Sequence, residues 1–310
     1  MKKASKYLLI AALALPILGA CVSKENEPAI TDMTACPEFT ATIADQPTRA
    51  FDQQWEAGDV IGISGANRAN VAYITNNGNG RFSVKTSGDQ IYFQEDGETA
   101  FTAYYPWTSI SGGSAAISAD TKKQADMKSF DFLWAQASGK KDAPNVTFSF
   151  AHRMAKVVLT VRPGTGMSYD EIKNVGMSMT GVRHSGSFNT TDGSTTVTGE
   201  NGNWAFTELA NPNDTDNILT FSFIFFPQTF NTPMEVMAEL SLPDNKSLSL
   251  KAPVDFTGAN REKDGANARN EWVAGRQYNL SLTLNKTEIA LDQCMINPWT
   301  VVNGEEITVD

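Results

Sequence analysis

Histidine is nearly missing from this chain, with two in 310 residues, His152 and His184. Neither has Cys, His or carboxylate neighbours at metal-ligand spacing, so a transition-metal centre is not expected. His152 lies in Phe150-Ala151-His152-Arg153-Met154, between two apolar runs, where a structural ring is the ordinary reading. Cysteine is also scarce: Cys21, Cys36 and Cys294 are too few and too far apart for a disulfide framework. Lys and Arg form no cluster, which argues against a nucleic-acid partner. There is no P-loop, dinucleotide fingerprint or G-x-S-x-G nucleophile turn; Gly62-Ile63-Ser64-Gly65 reads as the end of a strand. No amphipathic helix longer than about three turns is visible. These absences point away from an enzyme, a cofactor and a metal. One enzymatic rival stays open, a glycoside hydrolase with two carboxylates about 5–10 Å apart, because Asp and Glu are plentiful.

What is present begins at the N-terminus. Lys2, Lys3 and Lys6 precede an apolar run from Tyr7 to Leu18, followed by Gly19-Ala20-Cys21. The run is short for a membrane span, and small residues before the Cys suit a signal peptidase. This resembles a bacterial lipobox, with cleavage between Ala20 and Cys21 and a lipid on the Cys21 thiol. Two or more acyl chains there would anchor the chain firmly. Val22-Ser23-Lys24-Glu25-Asn26-Glu27 reads either as a surface-export signal or as a solvated linker. Residues 1–20 hold three Lys and no acid, so the chain from Cys21 carries 22 bases against 35 acids, a net −13. With Cys21 lipidated, Cys36 and Cys294 either pair across the exported chain or stay apart, and the second is expected.

Period-two alternation runs through the rest. Val146, Phe148 and Phe150 share one face, as do Val157, Leu159 and Val161; Phe221, Phe223 and Phe225; Met234 to Leu242; and Tyr278 to Leu284. One apolar face per segment is the pattern of half-buried antiparallel strands. Turns separate them at Asn76–Gly80, Ser111–Gly113, Asp192-Gly193, Asn201-Gly202 and Pro243–Asn245. Tyr169–Lys173 reads as a short helix and Gly258–Asn270 as a long loop. The expected architecture is all-β, with a signal over 1–20, a linker over 21–37, and β-sandwich domains over 38–163 and 164–310, divided at Pro163-Gly164-Thr165-Gly166. Aromatics at Tyr104, Tyr105, Trp107, Trp134 and Trp204 either close core ends or stack on sugar rings, so a surface glycan binder is the alternative function.

From Phe39 onward the chain resembles the fimbrillin family of Bacteroidetes pilus subunits. The resemblance rests on Phe39–Ile43, Thr48-Arg49-Ala50, Trp55–Ile63, Ala103-Tyr104-Tyr105-Pro106, Asp131–Ala135, Phe148–Val157, Tyr278–Leu282 and Trp299, in that order; it is thinner from about 165 to 270. It implies two tandem transthyretin-like β-sandwiches, a lipoprotein precursor exported to the outer membrane, and assembly by proteolysis and strand exchange. An Arg-specific protease would cut between Arg49 and Ala50, releasing a first strand that contains Phe39–Ile43, unless Thr48-Arg49 is a plain linker. The emptied groove would accept a strand from the next subunit. Val301, Val302, Ile307 and Val309 are the donor-strand candidates, unless they form an ordinary last hairpin around Asn303-Gly304. The implied partners are other pilus subunits, the outer membrane through the lipid, the maturation protease, and a host or glycan ligand.

Overall fold

A computed structural model of the chain describes residues 35–43, 54–110 and 115–299. The described part is all-β with several sheets. Seven strands close into a barrel: β1 (Glu38–Ile43), β2 (Val60–Gly65), β3 (Arg68–Ile74), β4 (Arg81–Val84), β5 (Thr99–Tyr105), β7 (Leu133–Gly139) and β8 (Asn145–His152), in the order β1-β4-β3-β2-β5-β7-β8. Alternation fills it: Val146, Phe148 and Phe150 of β8 are fully buried, and their outward neighbours are exposed or half-buried. Its core includes Phe39, Trp55, Ile61, Phe101 and Phe148.

The second half packs two sheets around one large core. One holds β13 (Gly202–Ala205), β10 (Gly176–Val182), β17 (Met234–Leu242) and β18 (Lys246–Val254), in that order. The other holds β14 (Asn211–Asn213), β15 (Ile218–Phe225), β9 (Ala155–Pro163), β20 (Arg276–Leu284) and β21 (Ile289–Pro298). A two-stranded piece, β16 (Gln228–Thr229) with β19 (Glu271–Trp272), lies beside them. The β17–β18 hairpin turns on the three residues Pro243–Asn245 between paired Leu242 and Lys246, with Asp244 at φ 62° and Asn245 at φ 57°, left-handed positions that Asp and Asn tolerate.

The two apolar runs flanking His152 do not pair with each other. The paired neighbours of β8 are β1 and β7, whereas β9 pairs with β15 and, in parallel, β20. The chain therefore crosses from barrel to second half at His152–Met154, and Ala155–Pro163 makes its ladder in the second half. Both faces of β9 are buried over Ala155–Leu159. Gly258–Asn270 is not a plain loop; it contains α2 (Thr257–Asp264). That helix has no apolar stripe. It is pinned instead by Asn260, which donates to the carbonyls of Arg269 and Glu271 and accepts from Arg276 and Tyr278. The short helix α1 (Tyr169–Ile172) forms as expected, with a Ser168/Glu171 capping box.

The halves are stitched together. β6 (Ala116–Asp120), between barrel strands β5 and β7, pairs with β11 (Ser185–Asn189), whose other neighbour is β12 (Thr195–Thr198). Gln124 is buried, donates to the carbonyls of Thr121 and Ile224, and accepts from the Ile224 N–H. A third apolar cluster joins Tyr104, Phe130 and Phe132 to Phe188, Ile224 and Trp299.

Candidate functional site: the first strand and the junction beside it

The seam of the barrel is β1. It lies parallel to β8 in six register positions, from Glu38↔Asn145 to Ile43↔Phe150, and touches β4 at only Phe39↔Phe82 and Thr40↔Arg81. Phe39 and Ala41 point inward and are buried. The Phe39 ring meets Tyr73 and Phe101 edge-on, at 5.0 and 5.3 Å, and lies nearly parallel to Phe148 at 5.7 Å. Outside the ladder, the Ala41 N–H donates to the Gly80 carbonyl and the Trp55 indole N–H donates to the Ala41 carbonyl at 2.9 Å. Gly80 sits at φ 77°, with the space for a Cβ filled by the Ala41 carbonyl, so the loop can approach β1 only without a side chain. Trp55 lies edge-on against Phe82, Tyr105 and Phe150, closing the barrel beneath the seam.

At the far end of β1 a cavity of about 240 Å³ lies between barrel and second half, lined by Ile43, Trp55, Asp59, Asp131, Lys156 and Ile224 among others. Its charges are mutually engaged. Lys128 Nζ reaches Glu56 Oε2 at 2.6 Å and Asp59 Oδ1 at 3.0 Å. The Tyr105 hydroxyl donates to Asp59 Oδ1 at 3.1 Å, and the Glu56 N–H to Asp59 Oδ2 at 2.7 Å. Burial raises the Tyr105 phenol, and the Asp59 carboxylate raises it further. Burial works against the Lys128 charge, yet Glu56 and Asp59 leave its pKa above the usual value. Glu56 and Asp59 therefore share one ammonium, and Asp59 also accepts from a phenol that keeps its proton and from the Glu56 N–H, which ties down the loop between them.

His152, at the end of β8, holds Asp131 Oδ1 through Nδ1 at 3.0 Å and stacks on Trp299, with ring centroids 4.1 Å apart. His184 is buried beside Thr121, with its pKa pushed down to about 4 by burial and by Lys122. Both rings thus serve packing. The aromatics do the same. Tyr104, Tyr105 and Trp204 are buried; Trp107 and Trp134 are half-buried, each donating its indole N–H to a carbonyl. Among the described residues the one exposed large apolar side chain is Met295. No disulfide joins Cys36 and Cys294, and burial followed by Asp255 pushes the Cys294 thiol up to about 12. Ala20, Cys21, Arg49, Ala50, Val301, Val302, Ile307 and Val309 lie outside the described residues. The sequence reading missed the approach of Lys128 to Glu56 and Asp59 and the His152–Trp299 stack, whose partners are distant in the chain and carry no spacing signal.

The described part is thus an all-β protein whose first strand closes a barrel between β4 and β8. Comparison makes this specific: residues 48–299 match the family model described as Fimbrillin-like, and the chain belongs to that family. It is 33% identical over 212 residues to Fim1C of Bacteroides uniformis, a candidate fimbrium subunit, covering 64% of this chain and 69% of that protein. Two solved structures share the fold. A candidate cell adhesion protein of Bacteroides uniformis has TM-score 0.66 and 24% identity, covering 85% of this chain and 99% of that one. A fimbrillin of Porphyromonas gingivalis has TM-score 0.50 and 11% identity, covering 88% of this chain and 100% of that one. The protein is a pilus-related surface protein of this fimbrillin-like family.

Proposed function

We propose that the chain is a structural or tip subunit of a cell-surface pilus, made as an outer-membrane lipoprotein anchored at Cys21 and activated by a cut between Arg49 and Ala50. One observation carries this reading. β1 closes the barrel with two buried side chains, and its other end connects through residues 44–53, which contain Arg49. Burying Phe39 and Ala41 is worth roughly 3–4 kcal/mol before ordering costs, modest beside the rest of the barrel. Removing β1 leaves an unpaired β8 edge and an apolar groove, which strand addition by another subunit satisfies. The tail carrying Val301, Val302, Ile307 and Val309 is the donor in this scheme. The two halves are tandem transthyretin-like domains, with Ala155–Pro163 counted in the second because its ladder lies there.

The test is limited digestion of the purified chain with an Arg-specific protease. The expected product begins at Ala50 by mass and forms ladders on a non-boiled gel, and Arg49→Gln blocks both. A clean cut that leaves only monomers after long incubation at high concentration rejects polymerisation.

A further inference from the structure

Three connections meet at one end of the second half around an open cavity of about 300 Å³. Arg183 follows β10, Glu200 and Asn201 lie between β12 and β13, and Asn231 and Thr232 lie between β16 and β17. Loops gathered at one end of a β-sandwich are where a rigid scaffold commonly presents binding groups. Ahead of Arg183, β10 bulges between Met179 and Val182, and Gly181 sits at φ 91°. A Cβ there would come 3.2 Å from the Met234 Cα, so glycine suits both the angle and the space. Buried Gln228 then grips the Arg183 main chain at both of its polar groups. Its Oε1 accepts from the Arg183 N–H at 3.0 Å, and its Nε2 donates to the Arg183 carbonyl at 3.1 Å.

The Arg183 side chain is half-buried, yet among the described residues it makes no hydrogen bond or ion pair. The same holds for the side chains of Glu200, Asn201, Asn231 and Thr232. In the junction cavity, by contrast, Lys128, Glu56, Asp59 and Tyr105 engage one another. A guanidinium on a clamped main chain, with its fork of donors unspent, is arranged to take an anion at little ordering cost.

We propose that this cavity binds an acidic sugar, a polyhydroxylated ring bearing one carboxylate, as the terminal residue of a glycan. The Arg183 guanidinium takes the carboxylate, the one partner type that uses its planar fork fully. Asn201, Asn231 and Thr232 both donate and accept, which is what ring hydroxyls require, and the Glu200 carboxylate accepts from a further hydroxyl. Glu200 also limits the charge: one cation beside one carboxylate admits a single negative charge and disfavours a dianion such as phosphate. The volume lies at the small end of ligand sites and suits one ring, while the open side lets the rest of a glycan lead away. Phe230, the apolar residue of the lining, is buried, so affinity comes from polar contacts and is expected near millimolar. None of these residues belongs to the barrel, so the site does not depend on how the subunit assembles.

Ligand-detected NMR with calorimetry tests this on the full chain lacking only its signal. The probes are methyl glucuronide, N-acetylneuraminic acid, methyl glucoside, acetate, inorganic phosphate and trialanine. At least one of the two acidic sugars is expected to bind near millimolar, and methyl glucoside about tenfold more weakly or not at all. Arg183→Gln should weaken the acidic sugar by about tenfold or more and leave the urea midpoint unchanged, because the guanidinium holds nothing within the protein. Asn231→Asp, which adds a negative charge without touching Arg183, should weaken it as well. Failure of both acidic sugars at tens of millimolar overturns the proposal, as does binding that Arg183→Gln leaves intact. Equal binding of methyl glucoside removes the role of the carboxylate, and overturns it too. Acetate or phosphate binding as tightly shows a plain anion site, and trialanine binding as tightly shows a peptide site; either rejects the sugar. The readout is binding to single chains, so failure here leaves the pilus reading standing.

Discussion

Among the described residues two pairs of strands run parallel, β1 with β8 and β20 with β9, and their settings differ sharply. β20 has eight parallel positions with β9 and a long antiparallel ladder with β21 on its other side; β9 is in turn flanked by β15. β1 has six positions with β8 and two with β4. The hydrogen-bond pattern is the same in both pairs. What separates them is lateral support and the apolar surface each strand commits: Tyr278, Leu280, Leu282 and Leu284 are buried on β20, but only Phe39 and Ala41 on β1. A strand can complete a barrel and still be the part most readily given up.

Substitutions can break or sharpen this contrast. The largest effect is expected for Phe223→Ala in the second half, whose fully buried ring packs on Trp204 and Phe206. About 3–5 kcal/mol of stability should be lost, read as a fall in the urea midpoint and faster exchange throughout β9, β15 and β20. Phe39→Ala should cost about 3 kcal/mol, and the loss should be local. Exchange should quicken in 38–43 and 145–150 and stay unchanged in 276–284; equal acceleration in both regions would end the distinction drawn here.

Acid should act on the other side of the comparison. His184 has a folded pKa of about 4, below the ordinary value of 6.5, so it is neutral in the fold where the unfolded chain is protonated. Stability is thus full above about pH 6.5, falls as the pH drops toward 4, and levels off below that, by at most about 3 kcal/mol from this residue. Urea titrations across that range should show the fall, and His184→Gln should flatten it. The smallest effect, about 1–2 kcal/mol, is expected for Gln124→Leu, which leaves the Ile224 N–H and C=O short of their partner at the stitch between the halves. A thermal scan should show a lower and broader transition.

The strands that alternate cleanly were legible, because a buried face repeats every second residue: β8, β15, β17 and β20 fall where the pattern places them. β6 was not, since Ala116-Ile117-Ser118-Ala119-Asp120 has little to bury and owes its ladder to β11. The course of β9 was read correctly as a strand, but its sheet was not legible, because pairing partners some sixty to a hundred and twenty residues away leave no local trace. α2 was hidden for a related reason: polar contacts of Asn260 replace an apolar stripe. At the seam, Phe39–Ile43 was recognisable as a strand by itself. How weakly it is held on its β4 side depends on Arg81–Val84, a short strand after the Gly80 approach, which period alone does not reveal.

The six-position ladder between β1 and β8 has a mechanical consequence. A strand seated on β8 and pulled along its own length is loaded in shear, so its hydrogen bonds share the force and must fail nearly together. The same strand lifted from one end peels open one bond at a time and resists far less. A strand held on β8 in this way is therefore strong against traction along its axis and weak against a sideways lift.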